Sequence, residues 1–374
     1  MTKTEFAIRL KNACAAVTAA EEELSDMSGA KVGDKTMMDA LIPASQAIAA
    51  YAGGDEAGLF EEAARAAAEG AEASKGYVSK FGRAKSYGEK TIGTYGGSGH
   101  EPAQAGFVGK GMLDVQAVGD ILAAPNGQLV FDAMKLADKG RGVLLLTLNY
   151  AGDQLAGKQA MKLAQKAGLN VRQVVTGEEI QYDPNGEDNK RGLAGAVALY
   201  HIAAAAREGK SLDEVAAIAQ RYADSMASVT VKSTDATHPQ NGMSFGDLGE
   251  TDLMEIGAGQ HGEGGGVRVP MMSSKDTVAT VARALCKKLE LKAGDKAFVM
   301  INGCGATTMM EMLVLFKDTV EYLKAMDVEV VASMVGEILT VQEAGGFQMN
   351  IAKWDEEFIR LWKAPCHTPA YSKE

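Results

Sequence analysis

Up to about Lys85 the apolar positions of the chain recur at i, i+3, i+4 and i+7. The stretches FAIRLKNACAAVTAAEEEL, TMMDALIPASQAIAAYA and GLFEEAARAAAEGAEASKGYVSKF are built mainly from Ala, Glu and Lys. Composition and period therefore agree on helices, and residues 1–90 read as an all-α segment. The separators DMSGAKVGDK and AGGDEA carry the Gly and Asp of loops. From about Thr91 the pattern changes to short β-rich runs alternating with helical ones. GVLLLTLNY (142–150) and NVRQVV (170–175) predict buried strands, with QLAGKQAMKLAQKAG as the crossover helix between them. KAFVMING, TMMEMLVLFKDTVEYLKAM and VEVVASMVG repeat the strand, helix, strand order, which predicts an α/β sheet with a substantial parallel part over 91–374. SLDEVAAIAQRYADSMA predicts an amphipathic helix with Ser211 as N-cap and Glu214 three residues on.

At 374 residues the chain is long enough for two domains and a sizeable core. Its 38 basic and 49 acidic residues give a net charge of -11, and no window gathers the basic ones into a stripe, which excludes nucleic acid as the expected partner. Cys14, Cys286, Cys304 and Cys366 lie far apart with no C-x-x-C spacing, so reduced thiols are expected and a metal site on them is not. No signal peptide and no apolar run long enough to span a bilayer is apparent, and a cytoplasmic protein with no membrane contact is the expectation.

Candidate chemistry begins with glycine. No G-x-x-x-x-G-K-[ST] occurs, and VGDKT at 32–36 only echoes its ending. GAGQHG (257–262) matches G-x-G-x-x-G, but EGGGVRVP follows it and cannot open the helix whose N-terminus gives that motif its physics. Among the five histidines, His201 in LYHIAAAA reads as a packed residue, His367 as a tail residue and His238 as a loop residue before proline. His100 in GSGHEP and His261 in GQHGEGG are flanked by glycine at expected strand ends, where backbone and a small ligand can approach the ring. Taken singly, each could equally be a structural histidine. With Asp153 in LNYAGD they make two imidazoles and a carboxylate on three strand-end loops, a set suited to proton transfer or covalent capture of a small carbonyl or hydroxyl compound.

Taken in order, GGSGHEPAQAGFVGKGML, GVLLLTLNYAGD, GLAGAVALYHIAAAAREGKSLDEVA, DLMEIGAGQHGEGG, NGCGATTMMEMLVLF and LWKAPCHTPA resemble the substrate-binding domain of dihydroxyacetone kinases over roughly residues 94–370. The resemblance implies a two-lobed α/β ketose-binding domain with mixed and parallel sheets. It also implies that His261 captures the substrate carbonyl as a hemiaminal, that Gly97, Ser98, Gly99 and His100 wrap the substrate with His100 as acid or base, and that Asp153 holds and activates the terminal hydroxyl. Dihydroxyacetone or a four-carbon ketose such as erythrulose is the implied ligand, and a homodimer the implied assembly.

The first 93 residues resemble a different part of the same family, the second half of its helical nucleotide-binding domain. GAKVGDKTMMDALIPA and KFGRAKSYGEKTIG carry the matching positions Gly33, Asp34, Lys35, Thr36 and Met37, then Gly82, Arg83 and Ala84. The aspartate cluster that holds magnesium in that domain has no counterpart upstream of Lys35. Phosphoryl transfer depends on charge stabilisation by metal and cations. The implied Mg-ATP, or an ADP refreshed by a phosphocarrier, is therefore expected on a partner helical chain, with no cofactor tightly held by this one. Leu148 stands where the family has lysine, HGEGG where it has H-G-E-P-G, TVQEAGG (340–346) where it has T-S-L-D-M-A-G, and Tyr95 where it has glycine. A ketose-binding sensor or regulatory subunit is the alternative reading.

Overall fold

The computed structural model describes residues 32, 38–51, 56–74, 89–180, 190–249, 251–259 and 266–374. The helix expected over FAIRLKNACAAVTAAEEEL and the candidates Gly33, Asp34, Lys35, Thr36, Met37, Gly82, Arg83, Ala84 and His261 lie outside the described residues. By its contacts the chain divides into two compact units, Met1–Glu89 with Lys139–Arg141, and Lys90–Asp138 with Gly142–Glu374. In the first unit α1 (Met38–Ala50) and α2 (Glu56–Ser74) bury Met38, Leu59 and Ala63. On the exposed side of α2 Arg65 reaches Glu69 one turn on at 2.7 Å.

In the second unit the chain runs β1 (Thr91–Ser98), β2 (Val115–Ile121), α3 (Gly127–Ala137), β3 (Val143–Leu148), α4 (Ala151–Lys166), β4 (Val171–Thr176), α5 (Gly195–Ala206) and α6 (Leu212–Asp224). It continues through β5 (Met226–Lys232), β6 (Leu253–Ile256), β7 (Val267–Pro270), α7 (Ser274–Lys288), β8 (Lys296–Gly303), α8 (Met309–Ala325), β9 (Glu329–Gly336), β10 (Gly346–Trp354) and α9 (Glu356–Trp362). A short pair, β11 (Cys366–His367) and β12 (Ser372–Lys373), ends it. The first sheet is parallel, in the order β2-β1-β3-β4, with Ile92 beside Leu144 and Leu144 beside Arg172. The second is mixed, in the order β7-β6-β5-β10-β8-β9, and only β8 with β9 runs parallel in it.

The strand β3, VLLLTL, is buried along its whole length because both faces of a parallel sheet are covered. Period two divides it: Leu144, Leu146 and Leu148 pack with α5 and α6, while Val143 and Leu145 pack with α3 and α4. The helix α5, GAVALYHIAAAA, is apolar all round and buries eleven of its twelve residues, which places it inside the core rather than on its surface. Its cluster includes Phe298 and Met300 of β8 and Trp354 of β10, so α5 and α6 pack between the two sheets. The capping box expected at Ser211 and Glu214 is present, and Thr308 with Glu311 makes another at α8. His201 is fully buried in α5, edge-on to Trp362 with ring centroids 5.0 Å apart, as a packed histidine should be. Among the described residues no helix is long and apolar enough to cross a membrane.

Glu178 follows β4 and is enclosed by this core. Burial pushes its carboxyl up to about 8, against which the Leu193 N–H, 2.8 Å from Oε1, pulls down. A carboxyl raised in the folded state above the ordinary 4.5 binds its proton more tightly folded than unfolded, so its contribution to stability is complete below about 4.5 and is lost as pH rises to about 8. Denaturant titrations of the wild type and Glu178→Gln between pH 5 and 8 should show the balance moving in favour of the variant as pH rises. A difference independent of pH would contradict the buried neutral acid.

Candidate functional site

A cavity of about 330 Å³ opens at the carboxyl ends of β1 and β3, where open parallel sheets place their ligands. Apolar walls come from Tyr95, Leu122, Leu148 and Leu339, and the polar side chains that converge on it include His100, Gln104 and Asp153. The two catalytic candidates within the described residues, His100 and Asp153, thus line one cavity. Gly97 lines it as well, whereas Ser98 and Gly99 do not. The candidate His261 lies outside the described residues.

Each polar group is set by a different element. His100 follows β1 on a short segment, and its Nδ1 lies 2.7 Å from the carbonyl oxygen of Thr340. A carbonyl only accepts, so in the neutral ring Nδ1 carries the hydrogen and Nε2 keeps the lone pair, which makes Nε2 the basic nitrogen. Asp153 lies in the first turn of α4, not in a loop, and is 9% exposed. Helix N-terminal amides favour a carboxylate there. The N-cap of α4 is Tyr150, whose side chain makes no cap hydrogen bond, in contrast to Asn126, Ser211, Ser273, Thr308 and Asp355 on α3, α6, α7, α8 and α9.

The glycines serve the chain as much as any ligand. A Cβ at Gly97 would stand 2.7 Å from the Ala123 nitrogen, so this residue must be glycine for β1 to pass the turn after β2. In that turn Leu122 holds a left-handed conformation with φ 56° and presents its side chain to the cavity. The Gly99 N–H is taken by the Glu101 carboxylate at 3.0 Å.

The 99–103 segment is clamped by the stretch 338–342. Ala103 N–H donates to the Ile338 carbonyl at 3.0 Å, Thr340 N–H to the His100 carbonyl at 3.2 Å, Thr340 Oγ1 to the Glu101 carbonyl at 2.7 Å, and Gln342 Nε2 to the Gly99 carbonyl at 3.1 Å. The clamp is held in turn by Asn302 of β8, which is fully buried. Its Oδ1 accepts from the Ile338 and Leu339 N–H groups at 2.8 and 2.9 Å, and its Nδ2 donates to the Leu339 carbonyl at 2.7 Å. The second sheet therefore fixes a histidine carried by the first.

Several contributors escape sequence reasoning. Gln104 is 6% exposed, and its amide lies over Gly96, 3.2 Å from where a Cβ would stand. Only its place four residues after His100 could have signalled it. Thr340 opens the segment that stands where the family has T-S-L-D-M-A-G and Leu339 precedes it, yet nothing in their residue types announces a clamp. Leu148 is 7% exposed on the cavity wall, so an apolar surface stands where the resemblance expects a cation. Burial pushes the Tyr95 hydroxyl up to about 12, which keeps it a neutral donor at any physiological pH.

Asn302→Ala strands three buried backbone groups at 338–339, and leaving a buried group without its partner costs about 1 to 3 kcal/mol. Urea unfolding should show a loss on the order of 3 kcal/mol, with reduced protection of the 338–342 amides; a loss below about 1 kcal/mol would contradict the clamp.

Two family models match the chain. A Dak1 domain family model matches residues 62–370, and a DAK2 domain model matches residues 2–99, overlapping it. The "PTS-dependent dihydroxyacetone kinase 1, dihydroxyacetone-binding subunit DhaK" of Listeria innocua is 37% identical, covering 74% of this chain and 84% of that protein. Among solved structures, the "Dihydroxyacetone kinase operon co-activator Dha-DhaQ" superimposes with a TM-score of 0.71 at 27% identity, over 76% of this chain and 88% of that one. The dihydroxyacetone kinase of C. freundii does so with a TM-score of 0.69 at 27% identity, over 76% of this chain and 52% of that one. With most of its length matched by the Dak1 model and more than a third of its aligned residues shared with the Listeria subunit, the chain belongs to the dihydroxyacetone kinase family.

Proposed function

We propose that this chain is the ketose-handling part of a phosphotransferase: it binds a short ketose in the cavity and presents the terminal hydroxyl for phosphorylation. The observation that carries the reading is the convergence of His100 and Asp153 on one cavity at the ends of parallel strands. Relatives named as dihydroxyacetone kinases support the phosphotransferase class.

In this reading a ring nitrogen of His261 adds to the substrate carbonyl carbon. The C–N bond forms as the carbonyl π bond breaks, the oxygen takes a proton to become a hydroxyl, and the ring gives up its N–H proton, so the adduct is neutral. His100, with its lone pair on Nε2, serves as acid or base for the substrate oxygens. The Asp153 carboxylate accepts the hydrogen of the terminal hydroxyl and leaves that oxygen ready to attack phosphorus. Covalent capture selects ketoses over polyols such as glycerol, which have no carbonyl. The apolar wall at Leu148 contributes to the choice between three-carbon and four-carbon ketoses.

Mg-ATP, or ADP refreshed by a phosphocarrier, is assigned to a partner helical chain, and the candidates Gly33, Asp34, Lys35, Thr36 and Arg83 are assigned an accessory part in holding the nucleotide. Among the described residues no group of three or more His, Cys, Asp or Glu side chains is placed to hold a metal ion, and none of the steps given to this chain runs through one. The reading also includes a homodimer in the cytoplasm, and a domain boundary near residue 90.

A second reading is favoured by the co-activator among the solved structures, which matches as well as the kinase does. On that reading the chain binds ketose and reports it without turnover. The two separate on turnover with Mg-ATP, and with a phosphoenolpyruvate-driven relay plus a full helical partner: product under either condition supports the kinase, and binding with no product under both supports the sensor.

The covalent step is tested by carbon NMR of dihydroxyacetone labelled at the carbonyl carbon. On binding, that resonance should leave the ketone region for the region of a carbon bonded to both oxygen and nitrogen, and His261→Ala should abolish the change. Asp153→Asn should keep the change but lower turnover by about a hundred-fold or more. A shifted resonance that survives His261→Ala would sink the hemiaminal.

A further inference from the structure

Tyr95 sits in β1, five residues before His100, and is fully buried. Strand periodicity turns it away from Ile92 and Thr94 and toward α3 and α4, where it packs with Val130, Met134 and Ala156. Its hydroxyl donates to the backbone carbonyl of Asp153 at 2.7 Å. In an α-helix that carbonyl is the acceptor for the N–H of residue 157, so the phenol reaches into the first turn of α4. Residue 157 is glycine, and a Cβ there would stand 2.3 Å from the Tyr95 hydroxyl oxygen and 2.7 Å from Gln173 Nε2. Gln173 Nε2 in turn donates to Thr147 Oγ1 of β3 at 2.9 Å. The helix has thus given up a side chain at the one position where the phenol enters.

We propose that Tyr95 is a positioning residue that ties the strand delivering His100 to the helix turn delivering Asp153, and that Gly157 is glycine in order to admit its hydroxyl. The inference rests on the kinase reading above and adds a determinant of its geometry. The same strand that ends in the His100 segment holds the Asp153 turn through one side chain, so the two polar groups keep their spacing when either element shifts. Tyr95 also closes part of the cavity with its ring, while its hydroxyl is committed to the helix and not to a ligand. Because Asp153 acts on the terminal hydroxyl and the carbonyl is held elsewhere, a loosened Asp153 turn should lower the rate of transfer more than the hold on substrate.

The test is a double-mutant cycle on the full chain with its phosphoryl donor. Tyr95→Phe keeps the ring and removes the tie, and should lower kcat roughly ten-fold with KM changed less than about two-fold. Gly157→Ala should reproduce that loss by displacing the hydroxyl, although alanine by itself favours a helix. In the double variant the hydroxyl is already gone, so the loss should be no greater than in either single variant. Additive losses, or an unchanged kcat in Tyr95→Phe, would overturn the proposal. Should the wild type bind ketose without turning it over, the kinase reading fails by itself, and hydrogen exchange of the first-turn amides of α4 replaces kcat in the same cycle. Losses of protection that add, or unchanged protection in Tyr95→Phe, would then overturn the coupling, and losses that do not add would support it. Cooperative unfolding of each variant at the wild-type midpoint to within a few degrees confirms that the fold is retained.

Discussion

The geometry of the site depends on a clamp in which every hydrogen bond ends on at least one backbone group. The 338–342 stretch between β9 and β10 holds the 99–103 segment after β1, and Asn302 holds the clamp from within the second sheet. A histidine on a free strand-end segment would sample many orientations at a cost of about 1 to 2 kcal/mol per ordered residue. Here that cost is met by the packing of two sheets about α5 and α6, and His100 receives both an orientation and a tautomer from it. Asp153 is placed by an independent route, the first turn of a helix tied back to β1 through Tyr95. Binding and proton transfer to a molecule of a few carbon atoms need that division, since a small ligand offers few contacts of its own with which to order the site.

The core explains why the site can be rigid. Small residues in α5 let it pass between the sheets at close range, and the large side chains Phe298, Trp354 and Trp362 fill the remaining space. Burial here is deep enough to push the Glu178 carboxyl up to about 8. A cavity next to such a core strengthens the interaction of any charge brought into it, which is the condition under which a carboxylate and an imidazole act most effectively.

Much of this was legible in the sequence. The fully buried run of β3, the alternation of β8, α8 and β9, and the Ser211 capping box all appear where pattern and cap chemistry place them. The strands β5 and β10 were not legible as partners, because the antiparallel pairing that joins them spans more than a hundred residues and leaves no local mark. His100 and Asp153 could be singled out by residue type and flanking glycine. Their convergence could not, since it depends on Asn302 and Thr340, ordinary polar residues whose part is defined by backbone groups far away in sequence. Gly97 illustrates the same limit: the sequence marks a close approach, and the structure shows that the partner is the chain itself at Ala123. Tyr95 was visible as a departure from the family pattern, but its reach into α4 needed the packing to be seen.

On the function proposed above, His100 is a fixed base on a ketose-binding cavity. Nitrogen NMR of the histidine rings during a dihydroxyacetone titration tests this most directly. Free His100 should be the Nδ1–H tautomer, and its Nε2 resonance should shift saturably as ketose binds. A ring with its hydrogen on Nε2, or an Nε2 signal that does not respond at saturating ketose, would contradict it.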